Sequence, residues 1–474
     1  MADAAPGKPP RQFDRSIVDG PLRTAIWKLA WPTMLQSAIG GLQGVVDHAM
    51  VGHYVGLEAN AAIGVSIQIF ILVIVFIASV FSGMGVLVAR FAGANDSEAV
   101  NRTVWQAFMV ALVMSVGLLA PIGWVLAPWL LTLVNAAPGV QTEALPYLRI
   151  MFATNIGMMM FFMLSGALRA AGDAQTPLRM GVAMTVMNVL FNIVLIGGLG
   201  PVPAMGTTGA AIGTALASML ASGTILWMLF TGRLVVRFQK FGRSMSLKPD
   251  WTIIRELFRF GLPTGVQGIA MNVAGVMMLG FIGSLEHSAE AQAAYAVGYT
   301  ELFSLITWTS VGLMGATAAV TGQNLGAGKP DRASDTPREA SRIGLGAAAG
   351  VGFLFVAFPG AMLSVFALNE GIGGALGRQL LAFLAVSGFF VTVALTYTGG
   401  LQGTGDTKSP LYISIVSQVI VPIGVCTIAG ATVGLEAWHI WTAIVLGHFT
   451  RAALSVWRFG QGKWRAVQIR VPGV

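Results

Sequence analysis

Asp47 and Glu301 are the two residues whose chemistry is out of keeping with their surroundings. The chain carries twenty Asp and Glu residues, yet only these two fall well inside long apolar runs: Asp47 in "GGLQGVVDHAMVG" (Gly40 to Gly52) and Glu301 in "VGYTELFSL". A carboxylate taken out of water favours its protonated form. Held near the centre of a bilayer it costs about 3 kcal/mol on insertion scales, so it is expected to face a cavity or a partner. The chemistry open to such a group is the gain and loss of one cation, either a proton or a hard ion shared with neighbouring oxygens.

The elements that must position these acids are helices in a bilayer. With 55% hydrophobic and 10% charged residues and a mean hydropathy of +0.74, the chain is not an ordinary soluble globule. Twelve apolar stretches of roughly 18 residues or more, each long enough to cross the ~30 Å hydrocarbon layer as a helix, run from about residue 23 to about 459. The alternating pattern of a β-barrel is absent. The expected architecture is an all-α polytopic membrane protein of twelve transmembrane helices in two pseudo-symmetric six-helix lobes. Its parts are a tail (1–21), an N-lobe of helices one to six (22–232), a basic linker (233–253), a C-lobe of helices seven to twelve (254–460) and a second tail (461–474).

The net charge of +8 points to membrane topology rather than to nucleic acid, because the distribution of Lys and Arg between loops sets orientation. With the N-terminus inside, 26 of the 28 Lys and Arg residues fall at or near cytoplasmic segments, leaving Arg149 and Arg378 outside. The linker alone carries Arg233, Arg237, Lys240, Arg243 and Lys248. Both tails are therefore expected in the cytoplasm. Met1 to Asp19 mixes acids and bases and leads into a run too long for a signal peptide, with no cleavage site at its end. The single cysteine, Cys426, excludes an intrachain disulfide.

The two halves repeat. "KLAWPTMLQ" (Lys28 to Gln36) matches "RFGLPTGVQ" (Arg259 to Gln267), and "GALRAAGDAQTPL" (Gly166 to Leu178) matches "GGLQGTGDTKSPL" (Gly399 to Leu411). Six helices per copy make these parallel repeats about an axis along the membrane normal, an arrangement common in secondary transporters. The Gly-Asp-x-x-x-Pro segments describe a tight turn: Gly allows positive φ, Asp bonds nearby amides, and Pro opens the next helix. Pro32 and Pro263 instead lie inside spans, where each removes a backbone hydrogen bond and makes a candidate hinge.

The acids break the symmetry. Counted from the paired prolines, the counterpart of Asp47 is Met278, that of Asn192 is about Val425, and that of Glu301 is about Gln68. A packing device needed by both lobes should occur twice, so a polar cluster confined to the N-lobe reads as functional. Glu301 fits either a hydrogen bond between helices or a cation-recognising acid. Met158 to Met163 is a soft cluster, but consecutive residues point all round a helix and most must pack or face lipid. Arg149 and Arg378, near outer helix ends, are expected to snorkel. His48 and His53 are about 140° apart on a helix, which disfavours a shared metal, and His448 reads as structural.

Together, the Pro-containing first helix leading to "VVDHAMVG", the "LRAAGDAQTP" and "LQGTGDTKSP" turns, "GQNLGAGKPDRA" after helix eight and "GTTGAAIGTA" in helix six resemble the multidrug and toxic compound extrusion (MATE) family. The resemblance spans roughly Leu22 to Arg458. It implies a V-shaped pair of six-helix lobes about a central cavity, in a bacterial inner membrane, exporting small amphiphilic or cationic compounds in exchange for H+ or Na+. No cofactor, enzyme activity or nucleic-acid partner is implied, and a monomer is expected.

By this resemblance Asp47 takes the place of the first-helix carboxylate implicated in ion coupling. Asn192 in "FNIVLI" and Thr214 in "GAAIGTA" match neighbouring positions, with Asn188 a further polar contact. With Na+ as the coupling ion, Asp47, Asn192 and Thr214 would be the metal ligands. The final Asp of the helix-five pattern is Ile196 here, which removes a second carboxylate. The helix-seven acid of another branch is also missing, with Asn272 nearby. Gln36, Asp47, Met158, Phe162, Gln267, Asn272, Glu301 and Tyr397 are assigned to the substrate cavity.

Two rival functions make different demands on the sequence. A lipid or lipid-linked saccharide flippase of related architecture should show a strongly basic central cavity. A membrane-embedded enzyme should show a nucleophile with its base, or a metal cluster, and no such motif is present.

Overall fold

The computed structural model describes residues 13–134, 136–238 and 247–469. Most of the first tail, the centre of the basic linker with Lys240 and Arg243, and the last five residues lie outside the described part. No strand occurs among the described residues. They form twelve helical rods: α1 (Leu22–Tyr54), α2 (Leu57–Gly93), α3 (Ser97–Leu133), α4 (Pro138–Ala153 and Asn155–Ala170), α5 (Gln175–Ile196), α6 (Gly206–Phe230), α7 (Trp251–Gly283), α8 (Ser288–Gly326), α9 (Pro330–Ala357), α10 (Gly371–Thr404), α11 (Lys408–Thr432) and α12 (Ala437–Gly460). Among the described residues eight of these are long and apolar enough to cross a bilayer, and α4 makes a ninth if its two halves, bent by 51° at Thr154, count as one span. The chain is a multi-pass membrane protein. Tryptophans exposed near both ends of the rods, Trp27, Trp227, Trp251 and Trp457 at one and Trp124, Trp129 and Trp438 at the other, suit the two interfacial belts such a protein needs.

Local sequence explains where the rods begin and end. Asp96 caps α3 by accepting from Ala99 N at 2.9 Å, and Asp250 caps α7 from Thr252 N at 3.1 Å, each satisfying an amide that the first turn leaves free. The repeated turns have matching geometry. Gly172 and Gly405 stand at φ of 97° and 89°, a region open to glycine at little cost. Asp173 accepts from Thr176 N at 3.0 Å, and Asp406 from Ser409 N at 3.2 Å. Three rods carry π-helical turns, at Val113–Leu119, Ala296–Leu302 and Ile415–Ile420. The second of these contains Glu301, and single π turns are frequent at functional positions.

Within the first lobe α5 packs on α6 and α4 on α2 and α6; within the second α10 packs on α8, α9 and α12. The lobes meet through α1 against α8 and α2 against α7 and α8. Among the described residues, the hydrogen bonds joining the lobes all lie toward the face where the chain begins and ends. Thr33 Oγ1 donates to Gly312 O at 2.9 Å, Arg90 Nη2 to Thr404 O at 2.9 Å, and Gln323 Nε2 to Ala170 O at 2.7 Å. There the backbones touch: a Cβ on Gly93 would fall 2.0 Å from Gln323 O, and one on Gly326 would fall 2.0 Å from Arg90 O.

A strap reinforces this face. The short helix Ser16–Asp19 lies between the lobes with Ile17 fully buried. Lys329, from the turn after α8, donates to Val18 O at 3.2 Å and to Asp19 Oδ1 at 2.7 Å.

Candidate functional site

The face of α1 that holds Asp47 is a polar stripe. Gln36, Gln43 and Asp47 are spaced by seven and four residues, which returns each to nearly the same side of a helix. Each meets a polar partner within the first lobe. Arg169 Nη1, at the end of α4, donates to Gln36 Oε1 at 3.1 Å; Thr185 Oγ1 of α5 donates to Gln43 Oε1 at 3.1 Å; and Asn192 Nδ2 of α5 donates to Asp47 Oδ1 at 2.7 Å. Three rungs thus tie α1 to α4 and α5 above Pro32, which the helix passes through without a break.

Behind Asp47 the network continues into α6. Asn188 Nδ2 donates to Thr214 Oγ1 at 3.0 Å, and Asn192 Nδ2 approaches Asn188 Oδ1 at 3.4 Å. Both asparagines are fully buried, whereas Asp47 is half-buried. The close approach of α5 and α6 depends on small residues: a Cβ on Gly213 would lie 2.3 Å from Asn192 Oδ1. That oxygen is sealed from solvent and accepts no hydrogen bond. A buried acceptor without a partner costs about 1–3 kcal/mol, so this oxygen beside the carboxylate is an unused hydrogen-bond acceptor.

The structure brings Asp47, Asn188, Asn192 and Thr214 into one hydrogen-bonded cluster. Ile196, in place of the family's second acid, is a buried apolar residue at the end of α5. In the second lobe the counterpart positions are apolar: Met278 is buried and Val425 packs on the same hydrophobic cluster. Two participants escaped the sequence reading. Tyr147 of α4 is buried within electrostatic reach of Asp47, and its only sequence signal was a phenol in an apolar span. Gln43 was legible in principle, seven residues after Gln36 and four before Asp47.

The residues assigned to a substrate cavity are dispersed. Phe162 is exposed and lines a cavity between the lobes, and Gln36 reaches the same cavity only through Arg169. Met158 packs against the first lobe's core. Gln267 is buried inside the second lobe, donating to Ser414 Oγ at 2.8 Å. Asn272 is exposed and donates to Gly268 O of its own helix at 2.9 Å. Tyr397 packs edge-on to Phe459 in a separate cluster. Glu301 is exposed, and its carboxylate makes no hydrogen bond or ion pair among the described residues. Pro263 lies inside continuous α7. Arg149 stacks over Trp124 at 5.3 Å, and Arg378 Nη1 donates to Asn369 O at 2.9 Å. His448 Nδ1 lies 2.5 Å from Ser387 Oγ, with its ring stacked on Tyr299 and Phe303.

Known proteins share this fold. The MatE family model matches the chain twice, over residues 32–194 and 263–428, one copy in each lobe. The chain belongs to the MatE family. The probable multidrug resistance protein NorM of Thermotoga maritima is 27% identical over 455 residues, covering 95% of each chain. The probable multidrug resistance protein NorM of Deinococcus radiodurans is also 27% identical, over 446 residues, covering 91% of this chain and 93% of the relative. A solved multidrug resistance MATE family transporter of the MOP superfamily, in an outward-facing conformation, superposes with a TM-score of 0.86 at 21% identity, over 94% of this chain and 97% of its own. The double match makes the two lobes of this chain copies of one unit, and the Asp47 cluster belongs to the first copy alone.

Proposed function

We propose that the protein is a secondary active antiporter that exports small amphiphilic or cationic organic compounds in exchange for H+ or Na+, by alternating access between its two lobes. The observation that carries this reading is the 2.7 Å bond from Asn192 to Asp47 beside the orphaned Asn192 oxygen, in a polar cluster whose counterpart positions in the other lobe are apolar. The relatives' names support the efflux part. The face rich in Lys and Arg is the cytoplasmic one by the positive-inside rule, so the conformation described closes the lobes toward the cytoplasm.

A bound cation changes what holds α1. As a carboxylate, Asp47 accepts a charge-assisted bond from Asn192; neutralised, it keeps only an ordinary one. The α1 ladder weakens, and the helix is free to bend at Pro32 and repack against its lobe. Sodium would act on the same carboxylate, with Asn192 and Thr214 oxygens as hard ligands. Coupling requires that substrate and ion favour opposite states of this one element.

The test is efflux of a fluorescent lipophilic cation from proteoliposomes under an imposed pH gradient and, separately, a sodium gradient. Export driven by one gradient supports the reading. Export driven by neither contradicts it.

A further inference from the structure

The cavity between the lobes has a charge the sequence did not reveal. It encloses about 390 Å³, within the roughly 300–1,000 Å³ range of small-molecule sites, and is walled by α2, α4, α8 and α10. Most of its lining is apolar, with Phe81, Val86, Phe162 and Met314 contributed by both lobes. Its one ionisable residue is Arg169. Among the described residues, Arg169 makes a single hydrogen bond, to Gln36, and no ion pair. Glycines make the room: a Cβ on Gly85 or Gly315 would meet nothing within 4 Å. Gln402, also in the lining, adds an amide to the polar end.

We propose that this cavity binds the anionic head of an amphiphile, a carboxylate or phosphate held by Arg169, with the apolar tail against the phenylalanines and Met314. A planar guanidinium with free N–H groups matches either head bidentately. One guanidinium balances one charge, which favours a singly charged head over a pyrophosphate. A lone ammonium, by contrast, meets a fixed positive charge of its own sign. The inference rests on the transport reading and narrows it: substrates carrying an acid, alone or beside a cationic centre, use this chamber. An anion there competes with Gln36 for Arg169 and so acts on the lowest rung of the α1 ladder.

The experiment titrates the purified full-length protein, in phosphatidylcholine nanodiscs without any gradient, with a dansyl-labelled undecanoic acid and with the amine of the same tail. The expected result is that the acid binds at least about tenfold more tightly than the amine. Arg169→Gln should weaken the acid at least about tenfold and spare the amine. Gly315→Leu, which fills the cavity and leaves Arg169 in place, should weaken both. Displacement of the acid by laurate assigns a soluble carboxylate and displacement by short-chain phosphatidic acid a lipid phosphate; displacement by neither overturns the proposal. So does equal binding of acid and amine, or acid binding unchanged in both variants. Gradient-driven export of a lipophilic cation without acid binding would sink this inference and spare the transport reading. Acid binding without any gradient-driven export would do the reverse.

Discussion

Replacing Asp47 with Asn tests the coupling chemistry at its centre. The side chain keeps its shape and can still accept the Asn192 amide, so what is lost is the charge and the ability to take a cation. A hydrogen bond to a charged group contributes roughly 1.5–3 kcal/mol and a neutral one about 1 kcal/mol. The difference, about 0.5–2 kcal/mol, is what one proton can exert through the 2.7 Å bond. At about 1.4 kcal/mol per decade this shifts the balance between the two states of α1 roughly 2- to 30-fold. Asp47→Asn is expected to hold α1 in the neutral-acid state, abolishing gradient-driven export while substrate still binds. The assay pairs proteoliposome efflux under a pH gradient with substrate affinity measured at two pH values: wild type should show a pH-dependent affinity and the variant a flat one. Gradient-driven export at the wild-type rate in Asp47→Asn would refute the reasoning.

Other perturbations follow from the same contacts. Gly213→Ala pushes a methyl carbon to 2.3 Å from Asn192 Oδ1; displacing that buried amide should cost about 1–3 kcal/mol and lower gradient-driven export at least about tenfold, with Gly223→Ala, whose Cβ meets nothing within 4 Å, as the silent control in the same efflux assay. Thr33→Val removes a hydroxyl that Gly312 O, across the lobes, shares with Leu29 O and Ala30 O of its own helix; losing at most about 1 kcal/mol from the closed face should raise labelling of cysteines placed along the α1–α8 contact by up to about fivefold from the terminal side. The Lys329 ammonium that donates to Asp19 holds its carboxyl below the usual range. That contact is therefore kept at and above the ordinary carboxylate value and lost only as pH falls through the lowered one, so limited proteolysis of the strap should be the same at neutral pH and at about pH 5, and faster in Lys329→Ala at both.

Much of the fold was legible because the bilayer enforces it. Each crossing must be a long apolar helix, and the paired Pro and Gly-Asp motifs mark the repeat in the sequence itself. The break in α4 at Thr154 and the three π turns carry no comparable signal, because apolar periodicity marks a span and not a change of hydrogen-bond register inside it. In the site, Asp47 stands out as an acid in an apolar span, Asn192 and Thr214 are reached through the family resemblance, and the structure gathers them with Asn188. Arg169 was not. At the end of α4, beside a turn motif, it has the sequence context of an ordinary loop cation, and only the approach of the second lobe places it on a cavity wall. The dispersed cavity assignments fail for the related reason that facing direction across a cleft depends on how two lobes meet.

The most direct measurement is proton release on substrate binding, made with purified protein in weakly buffered solution, with no membrane gradient and no sodium. Addition of a saturating lipophilic cation should release protons from the wild type and none from Asp47→Asn, with sodium suppressing the release if it shares the pocket. Equal release from both proteins would contradict the assignment of ion coupling to the single carboxylate of the first lobe.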